Sequence, residues 1–287
     1  MATAVSAEVL AGAVRVPAVL KRLLSAVVLL PVFVLIVVKA PAFLFNLLVV
    51  VFCARALWEL LRMLEQGGHP VQRRLGLVVG VALTASFGAS RMLEPLLLPA
   101  LVLTLGAGAI LAAPIWQQGA PSVQSAAGTL LAVIYVGWLL GYGILLHHTS
   151  PRGDELILFL VGVTWVGETA AYVVGSTLGR HRLAPVVSPR KTVEGSIAQV
   201  VASLATGAAL GAWLLPGCRL ASVVAAGGLL GVVGQVGDLT ESVIKRSVGV
   251  KDAAALIPGH GGVLDRIDSL LFNLPAFYYV SLWAGCT

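Results

Sequence analysis

Charged residues are scarce in this sequence. Lysine, arginine, aspartate and glutamate make up 11% of its 287 residues, whereas a soluble domain carries about 25%. Hydrophobic residues reach 58% and the mean hydropathy is +0.96. This composition excludes an ordinary soluble domain and places the chain in a lipid bilayer.

The few cysteines and the lack of a basic, aromatic-rich run exclude two classes of function. The three cysteines, Cys53, Cys218 and Cys286, do not have the spacing of metal ligands, which argues against a cysteine-based zinc site. No basic run with interleaved aromatic residues is present, so the net charge of +6 does not indicate nucleic-acid binding. We interpret the positive charge as a contribution to membrane topology and to the binding of an anionic substrate.

The apolar runs predict an all-α, polytopic membrane protein that forms a single transmembrane domain over residues 1–287. We find no linker and no internal repeat. Nine runs have the length of a membrane-spanning helix. They cover residues 23–39, 42–62, 75–92, 95–113, 126–147, 155–176, 193–215, 220–244 and 263–284.

The distribution of basic residues predicts the orientation. With the N-terminus in the cytoplasm, thirteen lysines and arginines fall in cytoplasmic segments and four in segments on the opposite side. This is the bias of the positive-inside rule. It places the loops around 180–192 and 245–262 on the same, cytoplasmic side, as expected for a multi-pass protein of a bacterial-type inner membrane with a polar cavity facing the cytoplasm.

Acidic residues concentrate in one stretch, since five of the 13 lie within positions 238–268. Asp238, Glu241 and Lys245 are spaced i, i+3, i+7, so a helix presents them on one face. Asp265 and Asp268 are spaced i, i+3 on a second helix, and proline and glycine between the two predict a tight turn. Carboxylates from both helices can therefore converge.

Such a cluster, with cations interleaved, is what phosphoryl or nucleotidyl transfer needs, because carboxylate oxygens suit Mg²⁺ and cations suit phosphate oxygens. We predict Mg²⁺, with Mn²⁺ as the alternative ion. The predicted metal ligands are Asp238, Asp265, Asp268 and Glu241. The predicted phosphate-binding cations of this region are Lys245, Arg246, Lys251 and Arg266. The predicted catalytic residues are Asp238, Asp265, Asp268, Lys245 and His260.

The same region carries a family resemblance. Its matching positions are Ser242, Ile244, Lys245, Arg246, Lys251, Asp252, Ala254, Ile257, Pro258, His260, Gly261, Gly262, Val263, Asp265, Arg266, Ile267 and Asp268. In this order and spacing they resemble the signature of the phosphatidate cytidylyltransferases, also called CDP-diacylglycerol synthases. The resemblance is strongest over residues 125–285, and the signature region spans about 164–270. A solvated charged loop between two membrane helices is the structural alternative.

A second basic motif lies at 188–195. Ser188 before Pro189 predicts a helix N-cap and first helical position. Arg190 and Lys191 would then lie at the positive end of the helix dipole, which is unfavourable unless an anion binds there. We therefore predict a phosphate site at Ser188, Arg190 and Lys191. The motif resembles the family's Ser-Pro-Lys-Lys-Thr-x-Glu-Gly, and a cytoplasmic anchor for topology is the alternative.

Charged residues inside predicted spans are costly and often functional. Glu168 lies well inside the sixth span. The sequence that starts at Glu168 resembles the family's pattern Asp-Thr-x-Ala-Tyr-x-x-Gly, which has aspartate at this position. We predict that Glu168 lines the polar cavity, with a structural tie to Arg180 or Arg190 as the alternative. Arg55 and Glu59, spaced i, i+4, are interpreted as a structural pair or as residues near the bundle interior. For His260, phosphate contact, proton donation and a structural role in its loop all remain open.

The resemblance implies that the protein joins CTP and phosphatidic acid to form CDP-diacylglycerol and pyrophosphate. Two other functions stay open. One is a CTP-dependent kinase of a polyprenol-type lipid alcohol, and the other is an ion-coupled transporter that uses Glu168. A homodimer is also left open by the sequence.

Overall fold

The structure is a computed structural model that describes residues 31–89, 94–116, 123–149, 151–249 and 262–284. The described part is almost entirely helical, which confirms the all-α membrane class. Its helices are α1 (Ala42–Gln66), α2 (Arg73–Ala89), α3 (Leu97–Ile115), α4 (Val123–His147), α5 (Gly153–Leu178), α6 (Val193–Leu214), α7 (Leu220–Ser247) and α8 (Leu264–Trp283), and residues 31–39 are helical as well.

Six of these helices are long and apolar enough to cross a membrane, judged by length and composition. They are α1, α3, α4, α5, α6 and α7. Helix α2 is shorter, with 17 residues. Helix α8 is long enough, but Asp265, Arg266 and Asp268 at its start lower its hydropathy. Each of these two helices overlaps a predicted span.

A small hairpin interrupts the helical bundle between α5 and α6. Strands β1 (Arg182–Ala184) and β2 (Ser188–Thr192) pair in antiparallel orientation. Pro189 is compatible with β2 because an edge strand tolerates a missing N–H group. The sequence analysis did not predict this hairpin.

The start of α6 corrects the predicted N-cap at Ser188. The residue that caps α6 is Thr192, whose backbone is extended and whose hydroxyl accepts a hydrogen bond from the Gly195 N–H at 3.1 Å. Arg190 and Lys191 therefore lie in a strand and not in the first turn of a helix. The prediction that they face the positive end of the helix dipole is wrong.

Glycines bring the helices of the C-terminal half into close contact. Helix α5 packs along α6, α6 along α7, and α7 along α8. A Cβ atom on Gly207 of α6 would lie 3.0 Å from the Gly227 Cα of α7. A Cβ atom on Gly237 of α7 would lie 2.7 Å from the backbone oxygen of Asp268. The second approach places Asp238 beside the acidic start of α8.

Candidate active site

One cavity unites the two predicted motifs. It has a volume of about 400 Å³ and lies between β2 and the C-terminal part of α7. Its lining residues are Ser188, Pro189, Arg190, Lys191, Asp238, Ser242, Lys245 and Arg246. Four of them are cations, so the cavity suits a ligand that carries several negative charges.

The two walls of the cavity are joined by an ion pair. The Lys191 ammonium of β2 lies 2.6 Å from Asp238 Oδ2 of α7, although not with the geometry of a hydrogen bond. Both side chains are partly exposed. The Lys191 nitrogen is buried and makes no hydrogen bond among the described residues, so a phosphate oxygen that enters the cavity can replace the carboxylate as its partner.

Lys245 is held more firmly. Its ammonium donates to Glu241 Oε2 at 2.6 Å and to Asp265 Oδ1 at 2.8 Å, and its side chain is 13% exposed. Asp265 also accepts a hydrogen bond from the Gly262 N–H through Oδ2, at 3.2 Å. The Lys245–Asp265 ion pair therefore links α7 to the start of α8. Both carboxylate oxygens of Asp265 have partners within the protein.

Three further carboxylates complete an acidic cluster around this link. Glu241 lies within electrostatic reach of Asp268 and Asp265. Asp268 lies within electrostatic reach of Asp238 and Glu168. The acidic cluster, by which we mean Glu168, Asp238, Glu241, Asp265 and Asp268, thus draws on α5, α7 and α8.

Glu168 lies near the acidic residues of α7 and α8 but is not among the residues that line the cavity. Its carboxylate lies within electrostatic reach of Asp238 and Lys191 and near the Ser269 side chain. The Ser269 N–H in turn donates to Asp268 Oδ1 at 2.7 Å. Ser269 thus lies between the glutamate of α5 and the aspartate of α8.

The acidic cluster fits a divalent cation by its chemistry. Two lysines form ion pairs with three of its five carboxylates, and the Glu241 Oε1 atom is buried without a hydrogen-bond partner among the described residues. A buried carboxylate oxygen requires a cation or a proton, and hard oxygen donors suit Mg²⁺. Within the described ranges, however, no three acidic, histidine or cysteine side chains are already placed around a single ion position.

The hairpin has its own supports. The Glu194 carboxylate accepts from the backbone N–H groups of Arg180 and His181, at 3.1 and 3.2 Å, and pairs with the His181 ring at 2.6 Å. Arg246 Nε donates to the Val187 oxygen at 3.1 Å, which ties the hairpin turn to α7. Arg246 therefore has a structural contact in addition to its place in the cavity wall.

The remaining predicted site residues divide into two groups. Arg266 is exposed on α8 and is not part of the cavity lining. Lys251 and His260 lie outside the described residues, so their predicted roles stay predictions.

Glu59 has a place that the sequence analysis did not predict. Its Oε2 atom accepts a hydrogen bond from the Leu264 N–H at 2.9 Å, while Oε1 pairs with Arg55 at 3.0 Å. Glu59 is 2% exposed. The charge inside a membrane span was the available signal, but the spacing of the pair did not indicate contact with α8.

Comparison with known proteins identifies the family of this chain. Residues 20–283 match the model of the cytidylyltransferase family. The chain is 40% identical over 162 residues to the phosphatidate cytidylyltransferase of Staphylococcus aureus strain COL, a match that covers 54% of this chain and 58% of the relative. It is 40% identical over 154 residues to the enzyme of the same name from Staphylococcus saprophyticus, with the same coverage.

A third relative is the uncharacterised protein YnbB of Escherichia coli K12. It is 41% identical over 152 residues, covering 53% of this chain and 49% of the relative. The chain thus spans about half the length of the curated relatives that it matches. The family model, in contrast, covers most of the chain, including the hairpin, α7 and α8. The chain belongs to the cytidylyltransferase family.

Proposed function

We propose that this protein is a membrane phosphatidate cytidylyltransferase that condenses CTP with phosphatidic acid to CDP-diacylglycerol and pyrophosphate. The observation that carries the proposal is the shared cavity, in which the cations of β2 and α7 lie next to the acidic cluster. Both substrates are polyanions, and the lipid substrate requires a site within reach of the bilayer. The names of the staphylococcal relatives support the choice of substrates.

The membrane arrangement that fits this function has nine spans, with α2, α8 and the predicted first span added to the six apolar helices. The excess of basic residues on one side places the N-terminus, the hairpin and the α7–α8 connection in the cytoplasm. The cavity then opens toward CTP in the cytoplasm, and phosphatidic acid enters from the bilayer.

The cavity cations would bind and orient the two substrates. Lys191 and Arg190 approach from β2, and Lys245 and Arg246 approach from α7. Lys245 is oriented by Glu241 and Asp265, so its ammonium is preorganised toward a phosphate. Such preorganised charge lowers the barrier because it needs no rearrangement as negative charge develops.

The reaction is an in-line displacement. An oxygen of the lipid phosphate attacks the α-phosphorus of CTP, a new phosphorus–oxygen bond forms, and the bond from the α-phosphorus to the bridging oxygen breaks so that pyrophosphate leaves. The lipid phosphate is already ionised at neutral pH, so a strong general base is not required. The main barrier is repulsion between two anions, which the cations reduce.

A divalent cation would supply further positive charge toward the CTP phosphates. Asp238, Asp268 and Glu241 would hold it, since both Asp265 oxygens already have protein partners. If Asp238 held the cation, Lys191 would be free to contact a phosphate. Mg²⁺ is the expected ion.

The test is product formation by protein purified in detergent, with CTP, phosphatidic acid and Mg²⁺. Label from the α-phosphate of CTP should appear in the lipid, and pyrophosphate should be released in equal amount. The Lys245→Ala variant should lose activity, whereas Arg219→Ala should keep it. Arg219 is the matched control because it is exposed at the opposite end of α7.

The alternatives give different results in the same assay. A lipid-alcohol kinase would transfer the γ-phosphate label of CTP to a polyprenol and would release no pyrophosphate. A transporter would consume no CTP. Either result would overturn the proposed function.

A further inference from the structure

Helix α4 contains a π-helical segment, Val133–Trp138. Such wide turns are rare and occur frequently at functional sites. The segment is anchored by α2, because the Thr84 hydroxyl lies 2.9 Å from the Gly137 oxygen and a Cβ atom on Gly137 would lie 3.1 Å from the Gly80 oxygen. The position of Tyr135 inside this segment is therefore well defined by its neighbours.

Tyr135 is buried next to the acidic cluster. It is 4% exposed, and its ring lies beside that of Phe272 with the centroids 6.2 Å apart. Phe272 is one turn beyond Asp268 on α8. The Tyr135 hydroxyl is within electrostatic reach of Glu241, Asp268 and Asp238. Helix α4 thus contributes to the same buried region as α5, α7 and α8.

Two buried polar atoms lack partners in this region. The Tyr135 hydroxyl and Glu241 Oε1 each have no hydrogen-bond partner among the described residues. A buried hydroxyl without a partner is unfavourable, and native proteins satisfy nearly all such groups with protein atoms or ordered water. One atom can donate and the other can accept, so this buried region has unused hydrogen-bonding capacity of both kinds.

We propose that Tyr135 is a positioning residue for the cation of the active site. Its hydroxyl would donate a hydrogen bond that orients the oxygen groups of the acidic cluster that would hold the cation. The inference rests on the proposed function only for the presence of a divalent cation. Groups that orient ligands in this way typically change metal affinity about 10–100-fold when they are removed.

Tyr142 provides a matched control on the same helix. It is 2% exposed, lies two turns beyond Tyr135, and its hydroxyl is already paired with that of Tyr279 at 2.8 Å. Tyr135→Phe and Tyr142→Phe therefore each delete one buried hydroxyl and keep the ring. The deleted hydroxyl is within electrostatic reach of the acidic cluster in Tyr135→Phe, and it is paired with Tyr279 in Tyr142→Phe.

The experiment measures Mn²⁺ binding to the purified full-length protein without substrate, by electron paramagnetic resonance and by the Mn²⁺-induced rise in melting temperature. Tyr135→Phe should weaken Mn²⁺ binding about 10-fold and should reduce the rise in melting temperature. Without metal, its melting temperature should not fall below that of the wild type, because the deleted hydroxyl has no hydrogen-bond partner in the described part of the chain. Tyr142→Phe should bind Mn²⁺ like the wild type.

The inference is wrong if Tyr135→Phe binds Mn²⁺ as tightly as the wild type, or if both variants weaken Mn²⁺ binding equally. It is also wrong if the wild type shows no saturable Mn²⁺ binding. A raised KM for phosphatidic acid with unchanged Mn²⁺ affinity would also overturn it, because the hydroxyl would then serve the substrate. If Tyr135→Phe fails to fold, Phe272→Leu replaces it, because this change loosens the packing of the Tyr135 ring. Its Mn²⁺ affinity should fall, and an unchanged affinity would overturn the inference. CDP-lipid formation by the wild type is measured separately, so failure of the proposed function can be distinguished.

Discussion

The Glu59 carboxylate of α1 accepts a hydrogen bond from the Leu264 N–H at the first residue of α8. The N-terminal half of the bundle therefore holds the helix that carries Asp265 and Asp268. A carboxylate at the start of a helix accepts a hydrogen bond from one of the N–H groups that have no partner within the helix. Its negative charge is also stabilised by the positive end of the helix dipole.

Removing this contact should loosen the site without touching it. Glu59→Ala should cost about 1–3 kcal/mol, since a buried donor loses its partner, and turnover should fall with it. Glu65→Ala is the matched control on α1, because the Glu65–Arg73 pair is exposed and contributes about 0–1 kcal/mol. Melting temperature and turnover are the measurements. Equal behaviour of the two variants would refute a role for Glu59 in holding α8.

The buried link through Lys245 predicts a non-additive double mutant. Lys245→Ala leaves Glu241 and Asp265 without their cation, and breaking such a pair costs about 3–5 kcal/mol. Lys245→Ala combined with Glu241→Gln should regain part of that stability, because one uncompensated carboxylate is removed. Activity should remain low in both. Strictly additive changes in melting temperature would mean that the two side chains act independently.

Asp265 and Asp268 should differ in what their loss changes. Both Asp265→Asn and Asp268→Asn should reduce activity by about 100-fold or more, the scale of losing a key electrostatic stabiliser. Asp268→Asn should also weaken Mn²⁺ binding. Asp265→Asn should affect it less, because Asp265 already binds Lys245 and the Gly262 N–H. The two variants are compared by metal titration and turnover. Near-normal turnover in either variant would remove that aspartate from the site.

Lys191 tests the cavity wall formed by β2. Lys191→Ala should raise the KM for CTP or phosphatidic acid and lower kcat/KM, whereas Lys191→Arg should be partly tolerated if charge alone matters. Because the Lys191–Asp238 pair is partly exposed, stability should change by less than in Lys245→Ala. Unchanged kinetics for both substrates would make this residue a topological anchor.

Glu168 tests the contribution of α5. Glu168→Asp keeps the charge and shortens the reach toward Ser269, so we expect an active but impaired enzyme. Glu168→Gln keeps the length and removes the charge, and it should be worse because nearby cations lose a partner in a low-dielectric cavity. Turnover and Mg²⁺ dependence of the three proteins are measured. A glutamine variant equal to the wild type in both would show that the negative charge is dispensable.

The amino-acid sequence by itself determined the membrane class, the approximate helix ranges and the two motifs. Hydrophobic length and charge spacing are local properties, so they are visible without a structure. The i, i+3, i+7 spacing of Asp238, Glu241 and Lys245 correctly predicted a common helical region, and the Lys245–Glu241 contact confirms it.

Only the tertiary structure decided which residues of the separate motifs come into contact. Ser188 and Pro189 favour a helix start locally, yet pairing with β1 and the Thr192 cap place them in a strand. The contact of Glu59 with Leu264 joins residues 205 positions apart in the chain, and no local pattern encodes such a distance. The burial of Tyr135 beside the acidic cluster likewise depends on how α4 packs against α2 and α8, because side chains from separate helices meet only when the bundle is assembled.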